Sequence, residues 1–533
     1  MTSGAGLTVA VNGDALTSAR DATAGKARAA GLAEALVGKD AGLWGEDARS
    51  EASIRLGWLD LPTSSRDLLP RLASLRAELT AEGLDRVVLA GMGGSSLAPE
   101  VICDTAGVPL IVLDTTDPGQ VRAALRDRLA DTVVVVSSKS GSTIETDSHR
   151  RAFAQAFTEA GITDVGRHFV AVTDPGSSLE QTARDEDFRE VFLADPNVGG
   201  RYSALTAFGL VPSALAGVDV AALLDEAAAL SPALARDDNP ALELGAVLGG
   251  AGSDGRDKVV LADAGSPISG FGNWAEQLIA ESTGKQGKGL LPVVVGSVDS
   301  PGTGADDGVL VRLGSGGGSK GGSVSVAGPL GAQFLAWEYA TAVAGWALGI
   351  NPFDQPNVTE SKENTARILE SGRPAESPAL VDGAVEIYAD PALVGAATDL
   401  VEVLTALLAA IPAHGYLAVM AYLDRHADQA AAGLRDLLAA RTDRAVTFGW
   451  APRFLHSTGQ YHKGGPQVGA FLQVTGAVTD DLSIAGRDYT FGTLQAAQAA
   501  GDRQALVQRD RPLLHLHLTD RDSGVAQLLE AAR

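Results

Sequence analysis

Short apolar runs alternate along the chain with longer stretches in which apolar residues recur at helical spacing. The runs RVVLA (86–90), TVVVV (132–136) and HFVAVT (168–173) are each followed by a polar loop and then by a helical pattern or a turn. Short β-branched runs that alternate with helical segments are typical of βαβ units and a parallel sheet. The pattern therefore predicts one parallel α/β domain over about residues 61–240.

The same rhythm begins again further along the chain. The runs KVVLAD (258–263) and LLPVVVGS (290–297) predict strands, and the stretch between them, FGNWAEQLIAESTGK (271–285), predicts a helix. A long apolar stretch at 329–349 has the length of a buried helix. We therefore expect a second α/β domain over about residues 241–375, so that the fold class is α/β with two doubly wound parallel-sheet domains.

The two ends of the chain have weaker patterns. Residues 1–60 contain helical spacing at 24–39 and are predicted to form an N-terminal helical segment. Residues 376–533 combine amphipathic helical stretches with strand-like runs such as AVTFGW and PLLHLHL, which predicts a mixed α/β C-terminal region. No clear sequence repeat relates the domains to one another.

Composition limits the possible functions. The 533 residues carry a formal net charge of −24, which argues against a general nucleic-acid binder because such proteins need a broad basic surface. Cys103 is the only cysteine, so no intramolecular disulfide can form. The sequence has no signal-peptide pattern and no apolar run of about 20 residues, so we expect a cytoplasmic protein that does not span a membrane.

Two loops that follow predicted strands carry candidate chemistry. The loop 91–96 reads GMGGSS, and the loop 137–143 reads SSKSGST. Small residues, hydroxyls, one lysine and a helix N-terminus suit a phosphate group, although a tight turn and Ser/Thr capping of a helix explain each loop about equally well. Neither loop has the spacing of a P-loop or of a dinucleotide-binding fingerprint. If both follow strands of one sheet, they point to one phosphate site at its carboxyl edge.

Five segments together resemble the glucose-6-phosphate isomerase family. They read GMGGSSLAPE, SSKSGSTIET, GGRYSALTAFGL, WAEQLIAESTGKQGKG and NPFDQPNVTESK, and they occur in the family's order over roughly residues 85–370. The C-terminal part resembles the isomerase half of the bifunctional bacterial transaldolase–isomerases. The resemblance implies two sugar-isomerase (SIS) domains. It also implies an enzyme that exchanges glucose 6-phosphate and fructose 6-phosphate, in glycolysis and gluconeogenesis, through a cis-enediolate.

The resemblance assigns the proton transfer to one carboxylate and one guanidinium. Glu281 lies in Glu-Ser-Thr-Gly-Lys, where the family has its base, and Arg201 lies in Gly-Gly-Arg-Tyr-Ser, where the family has an arginine that stabilises the enediolate. Without the resemblance, a surface glutamate at a helix end and a structural ion pair would be the preferred interpretations of these two residues. A guanidinium suits the role because it keeps its charge.

The resemblance also implies the contacts to the substrate. Lys362, in the segment that begins at Asp354, would assist ring opening or bind the ring oxygen. Without the resemblance, a solvated helix lysine is the preferred interpretation, because Glu360 and Glu363 flank it. The remaining predicted contacts hold the phosphate or line the sugar side of the pocket: Ser138, Lys139, Ser140, Thr143, Gly94, Ser95 and Gln355.

The chain departs from the family at the histidine that opens the sugar ring. Conventional members carry it between the Glu and Asp-Gln motifs, and residues 282–353 contain no histidine. The candidates for its replacement are His456, the preferred one, and His462, with Lys463 beside them. A structural role remains the alternative for each.

The resemblance implies a sugar phosphate as the substrate, a homodimer, and no requirement for a metal or an organic cofactor. Two alternatives stay open at the level of the sequence. One is a dual phosphoglucose and phosphomannose isomerase. The other is a non-catalytic SIS protein that senses phosphosugars, which the set of Glu281, Arg201 and Lys362 disfavours.

Overall fold

Three β-sheets, each flanked by helices, organise the computed structural model, which describes residues 1–316, 322–372 and 376–533. Before the first sheet, the chain forms the helices Asp14–Ala29, Leu32–Val37, Glu46–Ala52 and Leu61–Ser64. Single turns of 3-10 helix connect many elements: Ala41–Trp44, Leu56–Asp60, Ser65–Leu68, Gly93–Ser95, Leu129–Asp131, Val165–His168, Gly200–Tyr202, Ser231–Ala233, Gln429–Gly433 and Arg453–His456.

The first sheet is entirely parallel. Its strands lie in the spatial order Ile111–Leu113, Arg86–Gly91, Thr132–Ser137, Phe169–Thr173 and Glu190–Leu193. The helices that accompany it are Leu69–Glu82, Leu97–Ala106, Pro118–Arg126, Ile144–Glu159, Ser178–Asp185, Ala207–Ala216 and Val220–Leu230. The order of the strands reverses between Arg86–Gly91 and Thr132–Ser137, and ligands of doubly wound sheets bind at the carboxyl side of such a reversal. The predicted parallel α/β fold is confirmed.

The second sheet consists of four parallel strands and an antiparallel pair at one edge. Its spatial order is Thr2–Gly4, Leu7–Asn12, Ser323–Ala327, Gly308–Leu313, Lys258–Asp263 and Leu291–Val295. The helices of this part of the chain are Pro240–Ser253, Phe271–Thr283, Leu330–Leu348 and Thr359–Ser371.

The beginning of the chain differs from the helical prediction for residues 1–60. Leu7–Asn12 is a strand that pairs antiparallel with Ser323–Ala327, and Leu7 and Val9 are fully buried. Each buried aliphatic side chain contributes about 1.5–3 kcal/mol. The strand is therefore held by a partner more than 300 residues away, which a local pattern does not show.

The third sheet repeats the strand order of the second. Its spatial order is Leu380–Asp382, Val385–Ala389, Leu513–Leu518, Gly469–Gly476, Tyr416–Tyr422 and Ala445–Trp450. The helices that accompany it are Pro391–Val394, Leu400–Ala409, Leu434–Ala439, Gly459–Gly464, Phe491–Val507 and Arg521–Ala531. In both sheets an antiparallel pair precedes four parallel strands that are connected in the same way. The C-terminal region, predicted as mixed α/β, thus forms a doubly wound unit, which we call the third unit.

Apolar packing joins the three sheets. One continuous core extends through the first and second sheets, and the third sheet has its own core around Leu417, Val446 and Leu472. A further cluster connects the second sheet with the third unit. It includes Val260 from the second sheet and Tyr416 and Tyr461 from the third unit. Among the described residues, no helix is both long enough and apolar enough to cross a membrane.

Candidate active site

One cavity of about 550 Å³ at the carboxyl end of the first sheet is lined by all the site residues predicted from the sequence except the alternative candidates His462 and Lys463. The first sheet contributes its loops, the second contributes a helix and a following segment, and the third unit contributes His456. The predicted residues in its wall are Gly94, Ser95, Ser138, Lys139, Ser140, Thr143, Arg201, Glu281, Gln355, Lys362 and His456.

The loop after strand Thr132–Ser137 is folded by its own hydroxyl groups. Ser138 Oγ accepts a hydrogen bond from the Gly141 N–H at 3.1 Å and lies 3.0 Å from Thr143 Oγ1. Gly141 has φ of +73°, and a Cβ there would lie 2.4 Å from the Leu179 nitrogen. Thr143 forms no side-chain cap on helix Ile144–Glu159, so the N–H groups and the positive dipole end of that helix are available to an anion.

Lys139 is already paired at the rim of the cavity. Its ammonium donates to the carboxylate of Asp174, which also lines the cavity. Burial raises the pKa of Asp174, although Lys139 lowers it in turn. An anion bound by this loop would therefore compete with Asp174 for the Lys139 side chain, or would use the backbone N–H groups of the loop.

Gly94 permits the close approach of two loops. A Cβ at this position would lie 2.0 Å from the Gly200 carbonyl oxygen, and the Ser203 hydroxyl donates to the Gly94 carbonyl at 3.3 Å. Any side chain at position 94 would push away the turn that carries Arg201. The glycine is thus required for the placement of Arg201 in the cavity.

Arg201 is a buried guanidinium whose donors all have partners. It donates from Nε to Ser282 Oγ at 2.7 Å, from Nη1 to Gln355 Oε1 at 2.8 Å, and from Nη2 to the Pro352 carbonyl at 2.6 Å. Only 3% of the residue is exposed. A buried charge needs such compensation, and this set of bonds allows the side chain little freedom.

Glu281 lies in the last turn of helix Phe271–Thr283, just before Gly284, and its carboxylate faces Arg201. The distance from Glu281 Oε1 to Arg201 Nη1 is 3.2 Å, and Oε2 accepts a hydrogen bond from Gln277 Nε2 at 3.1 Å. The carboxylate is therefore oriented at both oxygens, and it lies beside a permanent positive charge at the wall of the cavity.

Lys285 and Asp354 form an ion pair beside Arg201. The Lys285 ammonium lies 2.7 Å from Asp354 Oδ1 and is almost completely buried. Burial lowers the pKa of Lys285 to about 8, an effect that Arg201 reinforces and Asp354 opposes. The pair connects the end of the Glu281 helix with the segment that contains Gln355.

Lys362 lies in the first turn of helix Thr359–Ser371 and is exposed in the cavity. In the part of the chain that the structure describes, its ammonium takes part in no hydrogen bond or ion pair. It also lines an adjoining cavity of about 250 Å³, where Glu145, His456 and Gln498 form part of the wall. Lys362 is thus a free cation between the two cavities.

His456 enters the site from the third unit. It lies at the end of the turn Arg453–His456, and its Nε2 is 3.0 Å from Glu145 Oε1. Gln498 Nε2 donates to the same carboxylate oxygen at 2.7 Å. Burial raises the pKa of Glu145, but the His456 ring and Lys362 outweigh burial and lower it to about 2. Glu145 therefore presents a negative charge to the His456 ring.

His462 and Lys463 lie outside the cavity. His462 is buried among Tyr416, Phe454 and Phe471, and burial lowers its pKa to about 3. Lys463 forms a buried ion pair with Asp502 at 2.8 Å. Of the candidates for the missing histidine, the structure thus brings only His456 to the other predicted residues.

Three residues of the site were not predicted from the sequence. Gln277 is one helical turn before Glu281, so the spacing on a predicted helix could have indicated it. Asp174 follows the third predicted strand, at the same sheet edge as the two loops. For Glu145 the sequence contains no such signal, because its partner His456 is 311 positions away.

A pocket at the carboxyl edge of a doubly wound parallel sheet, bordered by hydroxyl-rich loops, is typical of an α/β protein that binds a small anionic ligand there. Residues 71–237 match the family model described as phosphoglucose isomerase. This match covers the first sheet of the structure.

Curated relatives match different lengths of the chain. A glucose-6-phosphate isomerase of Synechococcus sp. (strain JA-2-3B'a(2-13)) is 38% identical over 208 residues, which are 37% of this chain and 39% of that protein. The glucose-6-phosphate isomerase of Streptococcus pyogenes serotype M1 is 29% identical over 397 residues, covering 60% of this chain and 87% of that protein. The chain thus spans about two fifths of the length of its cyanobacterial relative.

Two crystal structures share the fold. A hypothetical protein from Thermus thermophilus superposes with a TM-score of 0.56 and 25% identity, over 68% of this chain and all of that one. A glucose-6-phosphate isomerase from Chlamydia trachomatis superposes with a TM-score of 0.56 and 21% identity, over 70% of this chain and 90% of that one.

Proposed function

We propose that the protein is a glucose-6-phosphate isomerase, which interconverts glucose 6-phosphate and fructose 6-phosphate by moving a proton between C2 and C1. The observation that carries this proposal is the pair of Glu281 and Arg201, 3.2 Å apart, in the wall of a cavity that two hydroxyl-rich loops border. The names of the curated relatives support the same activity.

The phosphate of the substrate would bind at the loop 137–143. The hydroxyls of Ser138, Ser140 and Thr143 and the first N–H groups of helix Ile144–Glu159 are donors suited to a dianion. Lys139 would add a positive charge as it moves from Asp174 towards the phosphate. Gly94 and Ser95 line the opposite side of the cavity, where the sugar would lie.

Glu281 would act as the base in the proton transfer. Its carboxylate takes the C2 proton of the open-chain aldose, and the electrons shift to the C1 oxygen to form the enediolate. The proton of the C2 hydroxyl then passes to the C1 oxygen, and Glu281 returns its proton to C1 as the C2 carbonyl forms. Arg201 would stabilise the negative oxygen of the enediolate, because its charge is fixed in place before the reaction begins. Gln355, bound to Arg201, would contact a substrate hydroxyl.

His456 and Lys362 would open the sugar ring. An imidazole suits acid–base chemistry near neutral pH, and Glu145 orients the His456 ring. The His456 imidazole would pass a proton to the ring oxygen of the sugar as the bond between that oxygen and C1 breaks. The C1 hydroxyl would lose its proton to water, and Lys362 would bind the ring oxygen. His456 would thus replace the histidine that residues 282–353 lack.

A coupled assay tests the proposal. Fructose 6-phosphate is supplied, and the glucose 6-phosphate formed is followed through an NADP-linked dehydrogenase. We expect turnover by the wild type and a loss of about 10³-fold in kcat for Glu281→Gln, since a general base contributes about 10²–10⁴-fold. Glu363→Gln, at an exposed carboxylate next to Lys362 and outside the cavity wall, is the matched control and should keep wild-type turnover.

The same assay separates the alternatives. No turnover by folded wild-type protein would overturn the isomerase proposal and favour a phosphosugar sensor. Formation of fructose 6-phosphate from mannose 6-phosphate would establish the dual activity. The resemblance of the C-terminal part to bifunctional transaldolase–isomerases stays a prediction.

We also propose that the protein works as a homodimer in the cytoplasm. The resemblance to the isomerase family supports both proposals. The single, buried cysteine also suits a reducing compartment. Light scattering of the purified chain at micromolar concentration should give twice the mass of 54.5 kDa. A single-chain mass would contradict the dimer.

A further inference from the structure

A short helix of the third unit, Gly459–Gly464, lies against the ends of two elements that carry predicted site residues. The first is helix Phe271–Thr283, which ends at Gly284, three residues after Glu281. The second is the segment around Asn357, which follows Gln355 by two residues and leads into the helix of Lys362.

Gln460, on that short helix, binds these two elements through both the nitrogen and the oxygen of its side-chain amide. Its Nε2 donates to the Gly284 carbonyl at 2.8 Å and to Asn357 Oδ1 at 2.9 Å. Its Oε1 accepts from the Asn357 N–H at 2.9 Å. The residue is fully buried, so water does not compete for these bonds.

The short helix is packed so closely against the two elements that it cannot shift relative to them. A Cβ on Gly284 would lie 2.5 Å from Tyr461 Cα, and a Cβ on Gly464 would lie 2.4 Å from Asn357 Oδ1. The Gly287 N–H also donates to the Gly464 carbonyl at 2.9 Å. The short helix and the two elements therefore have one relative position.

The same two elements have a second connection, the ion pair between Lys285 and Asp354. That pair lies within the part of the chain that forms the second sheet, whereas Gln460 belongs to the third unit. The same segment of the third unit also carries His456, whose carbonyl accepts from Gln277 at 2.8 Å. One segment of the third unit thus contacts the Glu281 helix at two places, at Gln277 and at Gly284.

We propose that Gln460 is a positioning residue that sets the Glu281 carboxylate relative to Lys362 and Gln355, and that the third unit is in this way a part of the active site. The inference rests on the proposed isomerase function. Proton transfer needs the reacting atoms about 3–3.5 Å apart, and a misplacement of about 1 Å costs about 10²-fold in rate. Gln460 acts through the elements it holds and does not itself line the cavity.

The test compares two buried glutamines of the third unit. Gln460→Met keeps the volume of the side chain and removes its hydrogen bonds. Gln473→Met is the matched control, since Gln473 is also fully buried and bonds to the Ala499 carbonyl at 3.0 Å and to Arg503 at 2.8 Å, away from the cavity. We expect Gln460→Met to lower kcat about 10–100-fold with KM within about twofold, and Gln473→Met to keep kcat within about twofold of the wild type.

Three results would overturn the inference. They are a folded Gln460→Met with kcat within twofold of the wild type, a rise in KM without a fall in kcat, and an equal loss of kcat in Gln473→Met. If Gln460→Met does not fold, Asn357→Ala removes the other half of the contact, and an unchanged kcat in that variant would overturn the inference as well. Wild-type protein without turnover would instead overturn the proposed function, and the inference with it.

Discussion

The Glu281 carboxylate lies between two side chains of different chemistry. Arg201 offers a fixed charge to one oxygen, and Gln277 offers a neutral N–H to the other. The guanidinium holds one carboxylate oxygen, and the amide orients the other without adding a second charge. Gln277 also binds the carbonyl of His456, so one amide connects the proposed base with the proposed ring-opening residue.

At this scale we predict that His456→Asn separates ring opening from proton transfer. With cyclic glucose 6-phosphate, kcat should fall about 10²-fold, because the acid–base group for ring opening is lost. With a four-carbon aldose phosphate, which cannot close into a six-membered ring, turnover should fall by less than about threefold. Steady-state kinetics with both substrates measures this.

His462→Asn serves as the control, since this ring lies in an apolar cluster outside the cavity. It should lower the thermal midpoint of unfolding and leave the ratio of the two rates unchanged. An equal loss on both substrates in His456→Asn would contradict the assignment.

The helix Leu330–Leu348 is buried over most of its length. Every residue from Leu330 to Gly345 is buried, as expected for a helix that is apolar on all sides. One carboxyl, that of Glu338, interrupts this surface and is fully buried. Burial raises the pKa of Glu338 well above its ordinary value.

We predict that Glu338→Gln reduces the loss of stability at high pH. Because the pKa of Glu338 is higher in the folded than in the unfolded chain, the folded state binds the proton more tightly. Its contribution to stability is complete below the unfolded pKa and is lost as the pH rises through the folded value. The glutamine does not titrate, so the variant should be more stable than the wild type at pH 9, by about 1–3 kcal/mol.

Urea unfolding at pH 5, 7 and 9 measures this difference. Glu363→Gln, on an exposed helix face, should follow the wild type at every pH. A Glu338→Gln variant whose stability falls with pH as steeply as that of the wild type would show that this carboxyl does not titrate on unfolding.

In the whole molecule, ion pairs hold the third unit against the first sheet. Arg453 lies 2.7 Å from Glu100 and 2.6 Å from Asp114, and Arg425 lies 2.6 Å from Glu100. Arg453 is three residues before His456, in the same turn. A chain of net charge −24 thus places arginines from the third unit opposite carboxylates of the first sheet, at a point that also positions a proposed catalytic side chain.

We predict that Arg453→Met destabilises the protein by about 3 kcal/mol, because it leaves the buried Asp114 without its charged partner and Glu100 with Arg425 alone. Arg122→Met removes another ion pair between the same two parts of the chain, with Asp480, whose side chain is 73% exposed. That variant should cost less than about 1 kcal/mol. Chemical denaturation of both variants measures the difference, and equal losses would contradict the prediction.

Much of the site could be predicted from the sequence because its parts are local. A strand followed by Ser138 to Thr143, or a helix that ends at Glu281 and Gly284, is specified by neighbouring residues, and the resemblance supplied the roles. The packing of Leu7–Asn12 on the second sheet could not be predicted in this way. A strand is stabilised by the strands beside it, and here one of those two strands is more than 300 residues away.

By itself, the sequence determined the parallel α/β class, the loops at the ends of the strands and the acidic character of the chain, since periodicity, turn residues and charge are properties of adjacent positions. Only the tertiary structure decided that the third unit repeats the topology of the second, that His456 and not His462 reaches the cavity, and that Glu145, Gln277 and Gln460 support the site. Each of these depends on burial and on partners from distant parts of the chain, and the free energy that decides them arises only when those parts are packed together.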